Sequence, residues 1–136
     1  MTPARLRELL RLAEARKSGN LARLDALLAE VRACEAEIED AARTVVQDLA
    51  AAAEMPMAQL ALRQIWADQR VAQARRRMAA LEPRVAEARA TALQSLGKHA
   101  ALEKLIDHAD RDAAQVRAAR AERDAPPPPP TARRTG

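Results

Sequence analysis

Apolar residues return at alternating steps of three and four along almost the whole chain, and one turn signal, Glu54-Met55-Pro56-Met57, divides the run in two. Steps of three and four keep side chains on one side of an α-helix, whereas a strand needs alternation by two. In the first segment, from Pro3 to about Ala53, the stripe reads Leu21, Leu24, Leu28, Val31, Ile38, Ala42, Val45, Leu49 and Ala52, with one polar slot at Glu35 beside Cys34. In the second, from about Met57 to Asp124, it reads Leu62, Ile65 or Trp66, Val71, Ala74, Met78, Leu81, Val85, Ala88, Ala92, Leu96, His99, Leu102, Ile106, Ala109, Ala113 and Val116. Nothing else in the chain competes with this pattern. There is no Phe or Tyr, one Trp and 3 Gly, so sheets, barrels and doubly wound enzymes lack their usual side chains and turns. Alanine supplies 35 of the 136 residues, and with Leu, Arg and Glu it gives the composition of long helices.

The expected fold is all-α: a long antiparallel two-helix coiled-coil hairpin with a disordered proline-rich C-terminal tail. The hairpin covers residues 1–124, with helices at about 3–54 and 58–124 and a turn at about 55–57. Thr2 can cap the first helix and Pro3 fits its first turn. Pro56 keeps Met55 out of the helical region and can open the second helix. Towards the N-terminus Leu6, Leu10 and Ala13 keep the step in another phase, which predicts a heptad discontinuity at Lys17-Ser18-Gly19-Asn20. Pro83 either breaks the second helix, giving three helices, or kinks it; the absence of Gly, Asn or Ser around Leu81–Val85 favours the kink. Pro126–Pro130 stop the helix, so 125–136 form a solvated tail of polyproline II character.

If the chain reverses near Met55, residues whose numbers add to about 111 face each other. Leu49 then meets Leu62, Val45 meets Trp66, Val31 meets Leu81, Leu10 lies by Leu102 and Leu6 by Ile106. At 1.5 Å per residue the helices span roughly 75 and 100 Å, and the second overhangs the first by some 15 residues. An alanine seam buries little area per residue, so such a rod is built to meet a partner.

Catalysis finds no support. His99 and His108 stand about 13 Å apart along a helix, and no Cys or carboxylate set completes a metal site. No phosphate loop exists, because the glycines stand at 19, 97 and 136. Asp107, Asp110 and Asp112 are interleaved with Arg111 and Lys104 and read as a solvated face. Cys34, the one cysteine, reads as a small buried apolar residue of a chain made in a reducing compartment. We expect no cofactor and no enzyme activity. Net charge is +4 on a surface of mixed sign. Arg75-Arg76-Arg77 lacks the interleaved aromatics of a nucleic-acid site, so no nucleic-acid partner is expected. Neither a signal peptide nor a membrane span is expected, and no direct membrane insertion.

Trp66 is the informative side chain. It lies beside the turn with Met57, Leu60, Leu62 and Ile65, more apolar groups than one thin helix can turn inward, so part of this set is expected to form a binding patch. At the other end, Asp110 to Arg123 continues past the start of the first helix and would stand unpaired unless something receives it.

The stretch Ala101-Leu102-Glu103-Lys104-Leu105-Ile106-Asp107-His108-Ala109-Asp110-Arg111-Asp112, running into Arg120-Ala121-Glu122-Arg123-Asp124, resembles the C-terminal pattern of the flagellar FliJ family and its injectisome relatives of the YscO type. Leu6-Arg7-Glu8-Leu9-Leu10-Arg11-Leu12-Ala13-Glu14 is similar to the family's first helix. The chain differs in its short turn at Pro56, in Pro83 and in its proline tail. The resemblance implies a central stalk of a type III protein export apparatus: the paired termini engage the hexameric export ATPase, and the tip engages the membrane export-gate protein. Some members also escort export chaperones. By position, the ATPase-facing residues would be Leu6, Arg7, Leu10, Arg11, Arg111, Val116, Arg117 and Arg120, and the gate-facing residues Leu62, Ile65, Trp66 and Gln69. The implied location is cytoplasmic, peripherally at the inner membrane. The alternative is a generic self-associating coiled-coil adaptor, for instance one that dimerises into a four-helix bundle. A hairpin reaching into a polymerase channel would need acidic residues at its tip, and here only Glu54 stands there.

Overall fold

A computed structural model of the chain describes residues 2–130. Those residues are helical almost throughout, with no strand among them: helix α1 spans Pro3–Ala50, a short 3-10 turn spans Ala52–Glu54, and helix α2 spans Met57–Asp124. Thr2 is the N-cap of α1, its hydroxyl accepting a hydrogen bond from the Arg5 backbone N–H at 3.3 Å, and Pro3 occupies the first helical position. Ala125 to Pro130 follow α2 without regular structure and are exposed. Arg133, Arg134 and the remainder of the expected tail lie outside the described residues.

The reversal needs no glycine, and no described residue has a positive φ outside glycine. α1 stops at Ala50, four residues before the expected end. Ala51 donates its backbone N–H towards the carbonyls of Gln47 and Leu49, and Glu54 donates to Ala51 at 3.0 Å to close the 3-10 turn. Met55 is extended, as a residue before proline must be, and Pro56 is the N-cap of α2. α2 then runs through Pro83 without a break. The ring lies on an exposed position, where the carbonyl it leaves unbonded can turn to water.

The two helices lie side by side, early residues of α1 against late residues of α2. The inward positions of α1 are Leu6, Ala13, Asn20, Leu27, Cys34, Ala41 and Asp48, each seven residues after the last and each buried or half-buried. In α2 the same step gives Ala67, Ala74, Leu81, Ala88, Ser95, Leu102 and Ala109. A second file of half-buried residues runs beside each, with Leu24, Val31 and Ile38 in α1 and Met78 and Val85 in α2 packed on the core of Leu27, Cys34, Ala74, Leu81 and Ala88. The Asn20 side-chain amide donates to the Ser95 hydroxyl and fixes the level of the two helices. Counting from that bond, Cys34 stands level with Leu81, and Leu27 with Ala88.

Four expectations are corrected. The pairing is displaced by about one helical turn from the symmetric reversal at Met55, because the extra non-helical residues all fall on the α1 side. The seam near the turn is made by Ala41, Asp48 and Ala67, while Ala42, Leu49, Leu62, Ile65 and Trp66 are exposed. Leu49, Leu62 and Trp66 are each more than half exposed, so the expected pairs Val45–Trp66 and Leu49–Leu62 do not form a buried seam there. The expected discontinuity at Lys17–Asn20 is absent: the seven-residue spacing runs through it, and Lys17 and Asn20 are the slot residues themselves. Likewise Cys34, 0% exposed, fills the slot assigned to Glu35.

Candidate functional site

Polar residues inside the seam are few, and among the described residues no buried side-chain nitrogen or oxygen lacks a hydrogen-bond partner. Asp48 is only 6% exposed, and its carboxylate accepts a hydrogen bond from Arg63 Nε at 2.9 Å. That hydrogen bond, then the carboxylate's charge, hold the Arg63 guanidinium above its ordinary range, outweighing the opposing effect of burial. About two turns towards the middle Arg70 lies 3.4 Å from Asp40, and about two turns further Arg77 lies 3.7 Å from Glu37. These three ion pairs close one flank of the hairpin near the turn. The arginine run 75–77 does not make one patch, since consecutive helical residues point about 100° apart and Arg77 is turned to α1. Lys17, Asn20, Ser95 and His99 form a polar layer across the seam in the other half, where His99 Nδ1 lies 2.7 Å from Glu103 Oε1 on its own helix. Neither Asp48–Arg63 nor this layer was recognised as such from hydrophobicity. Extending the seven-residue step of Leu6 and Leu27 reaches Asn20 and Asp48, one member of each.

At the turn end, the start of α2 is apolar on its outward side as well as its inward one. Leu62 is 67% exposed, Ile65 53% and Trp66 54%, and Gln69 is exposed one turn further along. Their steps of three, one and three put all four on one face. The Arg70 guanidinium sits 4.9 Å from the centre of the Trp66 ring and holds that side chain against the helix. Beside it, Thr44, Gln59, Leu62, Arg63 and Trp66 line a cleft of 340 Å³. Val46, Leu49 and Met57 add exposed apolar surface around the same end.

At the termini end, the residues expected to face a partner divide into two kinds. Leu6 is buried and Leu10 half-buried, so both hold the seam. Arg7 lies 3.5 Å from Asp110 across the helices. Arg11, Arg111, Val116, Arg117 and Arg120 are exposed. α1 begins level with about residue 112 of α2, so Ala113 to Asp124 lie beyond α1 and are exposed throughout. Val116 and Arg120 continue the line of the seam into this bare stretch.

Among the described residues no three His, Cys, Asp or Glu side chains converge as a metal-binding group, and no helix is long and apolar enough to cross a membrane. What the geometry offers is surface for other proteins: an apolar face at one end, and an unaccompanied helix at the other. No protein-family model, no curated protein and no solved structure matches this chain.

Proposed function

We propose that the chain is a non-enzymatic stalk of a flagellar-type protein export apparatus, an antiparallel coiled coil whose termini end engages the hexameric export ATPase and whose turn end engages the membrane export-gate protein. The observation that carries this reading is the overhang: Ala113 to Asp124 continue as exposed helix beyond the start of α1, on the end opposite the turn. An isolated helix of that length is marginal in water, so the stretch is suited to a cavity that receives it. The strict seven-residue spacing of the buried positions supports a left-handed supercoil rather than straight packing. The resemblance of the Leu102–Asp112 stretch to the FliJ family supplies the system, and export chaperones are further partners in the same frame. The reading places the protein at the cytoplasmic face of the membrane, without insertion.

The test is ATP hydrolysis by the export ATPase with and without the chain. Stimulation is expected together with a shift of the ATPase towards hexamers in light scattering. A chain ending at Asp112 should keep its helical signal but lose the stimulation, and Arg117→Ala with Arg120→Ala should weaken it. An ATPase indifferent to the intact chain would remove the proposal. The second reading, a self-associating adaptor, is favoured by the exposed Leu62, Ile65 and Trp66. It requires a dimer in solution that Trp66→Ala dissociates.

A further inference from the structure

The flank closed by ion pairs near the turn is built differently in the termini half. In α2 one seven-residue file reads Arg63, Arg70, Arg77, Arg84, Thr91, Lys98. The file of α1 that borders it reads Glu37, Glu30, Arg23, Arg16 from the turn outwards. Near the turn arginine meets carboxylate: Arg77 pairs with Glu37 of this file, and Arg63 and Arg70 pair with Asp48 and Asp40 beside it. In the termini half α1 changes sign while α2 stays basic. Arg16 and Lys98 line the same cleft of 380 Å³, with Leu9, Leu12 and Leu102 as its apolar walls and Asn20 and Ser95 at its floor. Neither Arg16, Arg23 nor Lys98 has an acidic residue three or four positions away on its own helix, and none takes part in an ion pair among the described residues.

Two features of this cleft point beyond the isolated chain. Arg16 and Lys98 line one cleft whose other lining residues include no carboxylate, so its charge is positive and is complemented by an anion. Leucines at the positions bordering a two-helix seam, where charge is usual, are what a third helix needs. The larger cleft on the opposite flank, lined by Leu28, Val31, Met78 and Val85, carries Arg75, Glu82 and Arg89 together and selects no sign.

We propose that the cleft between Leu9–Arg16 and Thr91–Leu102 seats an acidic amphipathic helix of another protein, which lays its apolar face on Leu9, Leu12 and Leu102 and its carboxylates between Arg16 and Lys98. The helix converts this half of the hairpin into a three-helix bundle, in the helix-in-groove mode of recognition. The proposal rests on a surface distinct from the turn patch and the overhang, and stands independently of the stalk reading.

The probes are two fluorescein-labelled synthetic 21-residue amphipathic peptides with identical leucines at three–four steps, one with glutamates and one with lysines flanking them. Binding to the full chain is read by fluorescence anisotropy. The glutamate peptide should bind at least about tenfold tighter than the lysine peptide, and the preference should shrink with salt. Arg16→Glu with Lys98→Glu should invert it, whereas Arg75→Glu with Arg89→Glu on the opposite flank should leave it in place. If the inverted pair fails to fold by circular dichroism, Arg16→Gln with Lys98→Gln should reduce the preference to less than about threefold. Equal binding of the two peptides, absence of binding, or a preference that survives both Arg16/Lys98 variants overturns the proposal. So does a free chain that sediments as a dimer broken by those variants, which makes a second copy the occupant. Binding of phosphatidylglycerol vesicles through Arg16 and Lys98, with neither peptide bound, overturns it in favour of a lipid surface.

Discussion

Asp48 occupies a position that apolar residues hold in every neighbouring repeat but the polar layer, and the molecule keeps it there by hydrogen bonding it to Arg63 at 2.9 Å. A buried carboxylate is tolerable when paired and costly when its partner is removed. Asp48→Leu is therefore expected to stabilise the hairpin, by about 1–2 kcal/mol, because the slot gains an apolar side chain and loses a desolvated charge. Arg63→Ala should lower the melting temperature in the wild-type background and have little effect once Asp48 is Leu; thermal unfolding of the four proteins of the cycle decides it. The sign of the pH effect follows from Arg63. Its folded-state value is raised, so its contribution is complete throughout neutral pH and is lost only as alkaline pH passes above the raised value. The pair was not legible in the sequence. Leu49, next to Asp48, is the better apolar candidate, and only the helical phase carried down from Leu27, Cys34 and Ala41 shows that the slot belongs to Asp48.

The two helices were legible as elements because nothing else could be built from a chain with one aromatic residue and three–four steps from end to end. Three of their four ends were also legible, since Thr2-Pro3, Pro56 and the proline run act through backbone geometry, whereas the end of α1 at Ala50 carries no such signal. Their mutual rotation was not. Alanine stands on every face of both helices and so carries no phase information. The larger side chains mislead near the turn, where Leu62, Ile65 and Trp66 are turned outward and Ala67 inward. That error was itself informative for the candidate site, because the outward residues are the ones expected to meet a partner. Within the helices, Gly19 and Gly97 serve no packing purpose: a Cβ at either would meet nothing within 4 Å. Gly19→Ala and Gly97→Ala should each stabilise the chain by about 1 kcal/mol, additively, as measured by urea denaturation. A loss at either position would mean that the glycine lies against another molecule in the assembled state.

Taken whole, the hairpin has one continuous spacing but two unequal halves. On the turn side of the polar layer lie Leu27, Cys34, Leu81 and the alanines packed with them, and the ion pairs that close the flank. On the termini side Leu6 is the one large apolar side chain buried among the described residues, and Arg16 and Lys98 line the flank. Lys17, Asn20, Ser95 and His99 stand between the halves. Amides of 5–16 and 100–112 are accordingly expected to exchange with solvent at least about tenfold faster than those of 24–45 and 71–90. Uniform protection along the rod would contradict the division. On that division the polar layer is the crotch of a tuning fork: the two prongs, α1 up to Lys17 and α2 beyond His99, are expected to part before the handle does, laying open Leu6 and Leu10.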